Sequence, residues 1–101
     1  MYVDELSEAI EFLLDKDTEH DLLNIGSGEE VSIKDLAFKI QKLVNYEGEI
    51  MYDLSKPDGN PRKLIDSTKI NELGWKSKIN IDEGLEKTYQ WFLKNYKSLR
   101  T

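Results

Sequence analysis

The sequence predicts an α/β fold: a small βαβ-containing lobe with about three main helices and a short parallel strand pair. Three patterns predict it. Apolar residues recur at spacings of three and four along several stretches, short apolar runs at 22–25 and 49–52 flank one of these stretches, and glycine- or proline-bearing segments punctuate the joins. Strand, helix and strand at this spacing imply parallel pairing through a right-handed crossover.

Taken in order, the first helix is predicted over about residues 4–15. Leu6, Ala9, Ile10, Leu13 and Leu14 share one face, and Asp4 is its candidate cap. Lys16-Asp17-Thr18-Glu19-His20 has no apolar residue and reads as a loop. Leu22-Leu23-Asn24-Ile25, stopped by Gly26-Ser27-Gly28, reads as a buried strand. Ser32 and Asp35 have the form of a capping box ahead of the stripe Ile33, Leu36, Ala37, Ile40, Leu43 and Val44. Asn45-Tyr46-Glu47-Gly48 ends that helix, and Glu49-Ile50-Met51-Tyr52 is the second predicted strand.

The segment 55–61 holds two prolines and a glycine, which force an extended, turn-rich loop. Ser67 is expected to cap a short helix that Gly74 ends, and Trp75 to pack against apolar surface. The last helix starts from an Asn80 cap, with Asp82 and Glu83 where the helix dipole favours acids and Lys94 and Lys97 near its end. Leu85, Thr88, Tyr89, Phe92 and Tyr96 form its inner stripe, and its Tyr and Trp side chains are expected in the core.

A chain of 101 residues fits one domain, 1–101, or a piece of one. Parallel sheets normally have more than two strands and helices on both faces, so the chain is expected to be a lobe of something larger, its first helix exposing apolar surface. A hydrophobic content of 39% is ordinary for a folded protein. The formal charge of −6 disfavours broad contact with nucleic acid or anionic membrane. No apolar run approaches a membrane span and no signal-peptide pattern opens the sequence, which gives a cytoplasmic expectation. Without cysteine and with one histidine, disulfides, thiolate chemistry and multi-histidine zinc sites are excluded.

Four motifs bear on chemistry. Gly26-Ser27-Gly28 invites a phosphate-binding reading, but Val31 stands where a dinucleotide fingerprint needs its third glycine and Glu29-Glu30 would repel the ligand, so it reads as a structural turn. Tyr52 and Lys56 have the Tyr-x-x-x-Lys spacing of a reductase pair. That spacing works on a helix, and Lys56 precedes Pro57, so it reads as coincidence. His20 reads as a surface residue. The loop Lys56-Pro57-Asp58-Gly59-Asn60-Pro61-Arg62-Lys63 is open between two readings: a solvated turn with balanced charges, or a fixed loop whose acid accepts hydrogen bonds from sugar hydroxyls while its bases bind phosphate.

Ser55-Lys56-Pro57-Asp58-Gly59-Asn60-Pro61-Arg62-Lys63-Leu64-Ile65-Asp66, followed by Leu73-Gly74-Trp75, resembles the closing segment of GDP-L-fucose synthases, the GDP-4-keto-6-deoxymannose 3,5-epimerase-4-reductases. Tyr2-Val3-Asp4-Glu5-Leu6, Asn24-Ile25-Gly26-Ser27-Gly28 and Tyr89-Gln90-Trp91-Phe92 extend the likeness over essentially the whole chain, with Glu5 in place of the usual second Asp and Asn60 in place of the usual Thr. The resemblance implies the C-terminal substrate-binding domain of an extended short-chain dehydrogenase, its N-terminal Rossmann domain absent. It implies a GDP-sugar substrate, with Asp58 and Lys63 as contacts and Arg62 as their neighbour. NADP(H), the Ser-Tyr-Lys triad and the epimerisation residues would belong to the full-length enzyme, a homodimer, so no catalytic, cofactor or metal residue is expected here and the 101 residues alone should be inactive. Two alternatives are the substrate domain of another nucleotide-sugar epimerase or dehydratase, and a noncatalytic interaction module.

Overall fold

The computed structural model describes residues 1–17, 19–59 and 63–99. Four helices follow in order: α1 Val3–Leu14, α2 Ile33–Leu43, the short α3 Thr68–Leu73 and α4 Ile81–Asn95, the last continued by a 3-10 turn over Tyr96–Ser98. The chain divides into two units. One comprises Met1–Glu29 with Ile65–Thr101 and holds α1, α3 and α4; the other is Glu30–Leu64 and holds α2.

In the first unit, Ala9, Ile70 and Trp75 are buried, and Phe12, Leu13 and Ile25 pack against them. Trp75 reaches this cluster because of how α3 ends. Gly74, at φ +117°, takes a left-handed turn that other residues resist, the Trp75 amide donates to the Ile70 carbonyl at 3.2 Å, and the Gly74 amide donates to Asn71 at 3.0 Å. This pair of bonds folds Trp75 back beside Ile70, as the predicted glycine stop requires.

The start of α3 differs from the prediction. Ser67 stands at the cap position, but its hydroxyl is buried and donates to the Gly26 carbonyl at 3.1 Å. The capping role passes to Asp66, whose Oδ1 accepts the Thr68 amide at 3.0 Å and the Thr68 hydroxyl at 2.6 Å. Gly26 is needed where it stands, since a Cβ there would lie 3.0 Å from Ile65 Cβ and 3.1 Å from Ser67 Oγ.

Helix α1 also starts otherwise than predicted: Tyr2 occupies the cap position without a side-chain bond, and Asp4 lies inside the first turn. Its apolar stripe divides. Ala9, Phe12 and Leu13 face the core, whereas Leu6, Ile10 and Leu14 are exposed, as expected of this helix. Beside Ala9 the helix buries a carboxylate. Glu5, 3% exposed, accepts the Ser77 hydroxyl at 2.5 Å, the Lys78 amide at 2.6 Å and the Ile79 amide at 3.0 Å. The segment leading into α4 is thereby fastened to α1 by one side chain.

Helix α4 begins as predicted, with Asn80 Oδ1 accepting the Glu83 amide at 2.8 Å. Glu29 Oε2 accepts a second orphan donor, the Ile81 amide, at 3.1 Å. Along the helix Gly84 is buried against Tyr2, and Leu85 and Tyr89 are half-buried. The expected core placement of the other aromatics does not hold: Trp91, Phe92 and Tyr96 are exposed, the last two in tilted contact with ring centres 5.7 Å apart.

In the second unit, α2 has the predicted cap, Ser32 Oγ accepting the Asp35 amide at 3.0 Å. Its end is closed by Asn45 at φ +56°, with Tyr46 N donating to Gln41 O at 3.0 Å and Asn45 N to Lys42 O at 3.3 Å. No residue of α2 is buried.

The βαβ arrangement is not seen. Among the described residues no strand is assigned, and 22–25 and 49–52 run without regular structure. A strand exists through its ladder, and two short parallel runs supply too few hydrogen bonds to offset the entropy of a long crossover without further strands beside them.

Candidate functional site

The loop 56–63 is reached from 49–52 through a turn built on Asp53. Its Oδ1 accepts the Ser55 amide at 3.0 Å and the Ser55 hydroxyl at 2.5 Å, and these bonds hold the carboxyl below the usual carboxylate range. Pro57 then fixes its own φ and disfavours helix at Lys56. Lys56, Asp58 and Lys63 are exposed, so an acid and two bases of the loop are available to a ligand. Arg62 lies outside the described residues, so the three predicted contacts are not placed together. Tyr52 and Lys56 are exposed and lie on no helix, in keeping with a coincidental spacing. His20 is exposed too.

Sequence reasoning missed two residues. Asp53 had a local signature, an Asp followed two residues later by a hydroxyl residue, which recurs in Asp66-Ser67-Thr68 and closes a turn onto the residue two ahead. Glu5 had none, because its partners lie 72 to 74 residues away. Burial pushes its carboxyl up, but the Ser77 hydroxyl and the Lys78 and Ile79 amides outweigh this and bring it below the ordinary range.

A concavity of about 460 Å³ runs along α4 between Tyr2, Glu83, Lys87, Gln90, Trp91 and Lys94. Lys87 Nζ sits 5.9 Å from the Tyr2 ring centre. Burial, with the charge and hydrogen bond of Asp4, raises the Tyr2 pKa, which is opposite to the activation a catalytic phenol needs. Among the described residues no group of three or more His, Cys, Asp or Glu side chains could hold a metal, and no helix is long and apolar enough to cross a membrane.

The glycine turn 26–28 does not fit a dinucleotide. Ile65 and Ser67 fill the space beside Gly26, the Gly26 carbonyl is engaged by Ser67, and the acid that follows, Glu29, closes the start of α4. A pyrophosphate would meet carboxylate where it needs amide donors.

No family model matches the chain. It is 47% identical over 95 residues to a probable GDP-L-fucose synthase 1 of Oryza sativa subsp. japonica, covering 94% of this chain and 29% of that protein. A GDP-6-OMe-4-keto-L-xylo-heptose reductase from C. jejuni has a similar structure, with a TM-score of 0.79 and 28% identity over 94% of this chain and 30% of that one. A GDP-mannoheptose C4 reductase from Campylobacter jejuni with NADP bound follows at 0.76 and 29%, covering 92% and 30%. The chain therefore spans about 29% of the length of curated relatives such as this one. Its fold is that of a part of the extended short-chain dehydrogenase reductases, and the chain is a homologue of the GDP-L-fucose synthases.

Proposed function

We propose that the chain is the C-terminal, GDP-sugar-binding part of a GDP-L-fucose synthase. That enzyme converts GDP-4-keto-6-deoxymannose to GDP-L-fucose by 3,5-epimerisation and NADPH-dependent 4-reduction. The identity of 47% across 94% of the chain carries the reading. The loop 56–63 adds the chemistry: the Asp58 carboxylate accepts hydrogen bonds from sugar hydroxyls, and Lys63, with Arg62 beside it, meets the diphosphate through charge-assisted bonds of about 1.5–3 kcal/mol each. The contribution of this part is orientation. Holding the keto sugar in near-attack geometry lowers the barrier by several kcal/mol without any group of this chain exchanging a proton.

In this reading NADP(H), the hydride donor of the family, belongs to the N-terminal Rossmann domain, and the 101 residues alone have no turnover. The segments 22–25 and 49–52 would find their strand partners in the complete enzyme, a cytoplasmic homodimer. The isolated chain would bind GDP with Kd around 1 mM, since half the cleft is elsewhere.

The test is made in the complete enzyme. Asp58→Ala and Lys63→Ala should each raise KM for the GDP-sugar about tenfold or more, the loss of one charge-assisted bond, and leave KM for NADPH near the parent value. Parent-like kinetics for both would refute the assignment. A second reading, a different GDP-linked sugar, is favoured by the likeness to the two heptose reductases. Comparing kcat/KM for GDP-4-keto-6-deoxymannose and for GDP-linked heptoses separates the two.

A further inference from the structure

We propose that Asp53 is a positioning residue for Asp58, restraining the approach to the loop so that less ordering is left to substrate binding. The inference rests on the reading of Asp58 as a GDP-sugar contact. Asp53 Oδ1 holds both the main chain and the side chain of Ser55, at 3.0 Å and 2.5 Å. A single oxygen therefore closes Asp53-Leu54-Ser55 into a turn. From Ser55 only Lys56 and Pro57 intervene before Asp58, and the proline fixes its own φ and holds Lys56 to extended conformations, which narrows the freedom of that short span.

The whole stretch 51–59 is exposed, so no core packing restrains it. What fixes it is the turn and the proline. The Asp66-Ser67-Thr68 turn repeats the device with bonds of 3.0 Å and 2.6 Å, so the spacing closes reproducibly in this chain. Without the turn, ordering of residues 53–58 would fall on the binding step. Immobilising flexible groups weakens binding by an amount that corresponds to about threefold to tenfold per element ordered.

In the complete enzyme, Asp53→Ala should raise KM for the GDP-sugar about threefold to tenfold, with kcat and KM for NADPH within about twofold of the parent. Asp53→Asn keeps a side-chain carbonyl that accepts both bonds and should stay near the parent. Asp58→Ala, measured alongside, should raise the same KM. An unchanged KM for Asp53→Ala beside a raised one for Asp58→Ala overturns this inference alone; an unchanged Asp58→Ala overturns the reading beneath it and the inference with it. Asp53→Asn as impaired as Asp53→Ala also overturns it, because charge and not the turn would then be responsible. Should Asp53→Ala not fold, Ser55→Ala, which removes the shorter of the two bonds to Asp53, carries the test: a KM for the GDP-sugar raised about threefold supports the turn, and a KM within about twofold of the parent overturns it.

Discussion

Helices α1 and α2 are of nearly equal length, 12 and 11 residues, and both carry an apolar stripe. Helix α1 buries Glu5 and Ala9 in its unit and sets Phe12 and Leu13 against Ile70 and Trp75, whereas α2 buries nothing, and Ile33 and Phe38 on it are 77% and 55% exposed. The stripes alone do not distinguish them. What differs is what comes back to each helix from distant sequence: α1 receives α3, Trp75 and the segment 77–79, and its own carboxylate ties the last of these down. An amphipathic pattern states which face needs cover, and the rest of the chain decides whether cover arrives.

The contrast can be broken most decisively at Trp75. Trp75→Ala should destabilise the chain by about 3–5 kcal/mol in urea or guanidinium unfolding, since it empties the centre of the small core. A loss below about 1 kcal/mol would mean that the first unit does not depend on that cluster.

Glu5→Ala comes next, at about 3 kcal/mol, because it strands two backbone amides and a hydroxyl in a partly buried place. It also fixes a pH dependence. The folded-state pKa of Glu5 is lowered, so its stabilising contribution is fully present above the unfolded value of about 4.3 and is lost as pH falls through the lowered folded value. Unfolding midpoints measured from pH 7 down to pH 3 should therefore fall more steeply in the parent than in Glu5→Ala; parallel curves would remove Glu5 from the acid limb.

The smallest effect sharpens the other side of the comparison. Ile33→Ser, on the exposed face of α2, should change stability by no more than about 0.5 kcal/mol in the chain alone. A larger loss would show that α2 is covered after all.

What the sequence made legible was mostly local. The Ser32 and Asn80 caps and the Gly74 stop that turns Trp75 back beside Ile70 follow from residues close together in the chain. Asp4 and Ser67 illustrate the boundary of that reasoning. Each is a good capping residue near a helix start, but Ser67 is drawn away by the Gly26 carbonyl 41 residues distant, and Asp4 falls two residues past the cap position, inside the first turn. The strand pair failed for a different reason: apolar runs report a tendency that only neighbouring strands realise. Asp58 and Lys63 were legible as a chemical type in an exposed loop, whereas the turn at Asp53 that leads into it depends on a spacing easily passed over beside the prolines.

The carboxylate of Glu5 also changes what an irregular segment does in time. Lys78 and Ile79 belong to neither helix nor strand, yet their amide hydrogens end on a buried oxygen. In deuterated solvent such hydrogens trade with the medium only when the unit opens, so these two should outlast the fraying ends of the helices. They would serve as a built-in clock for opening of the first unit, located in a stretch where no regular structure would suggest one.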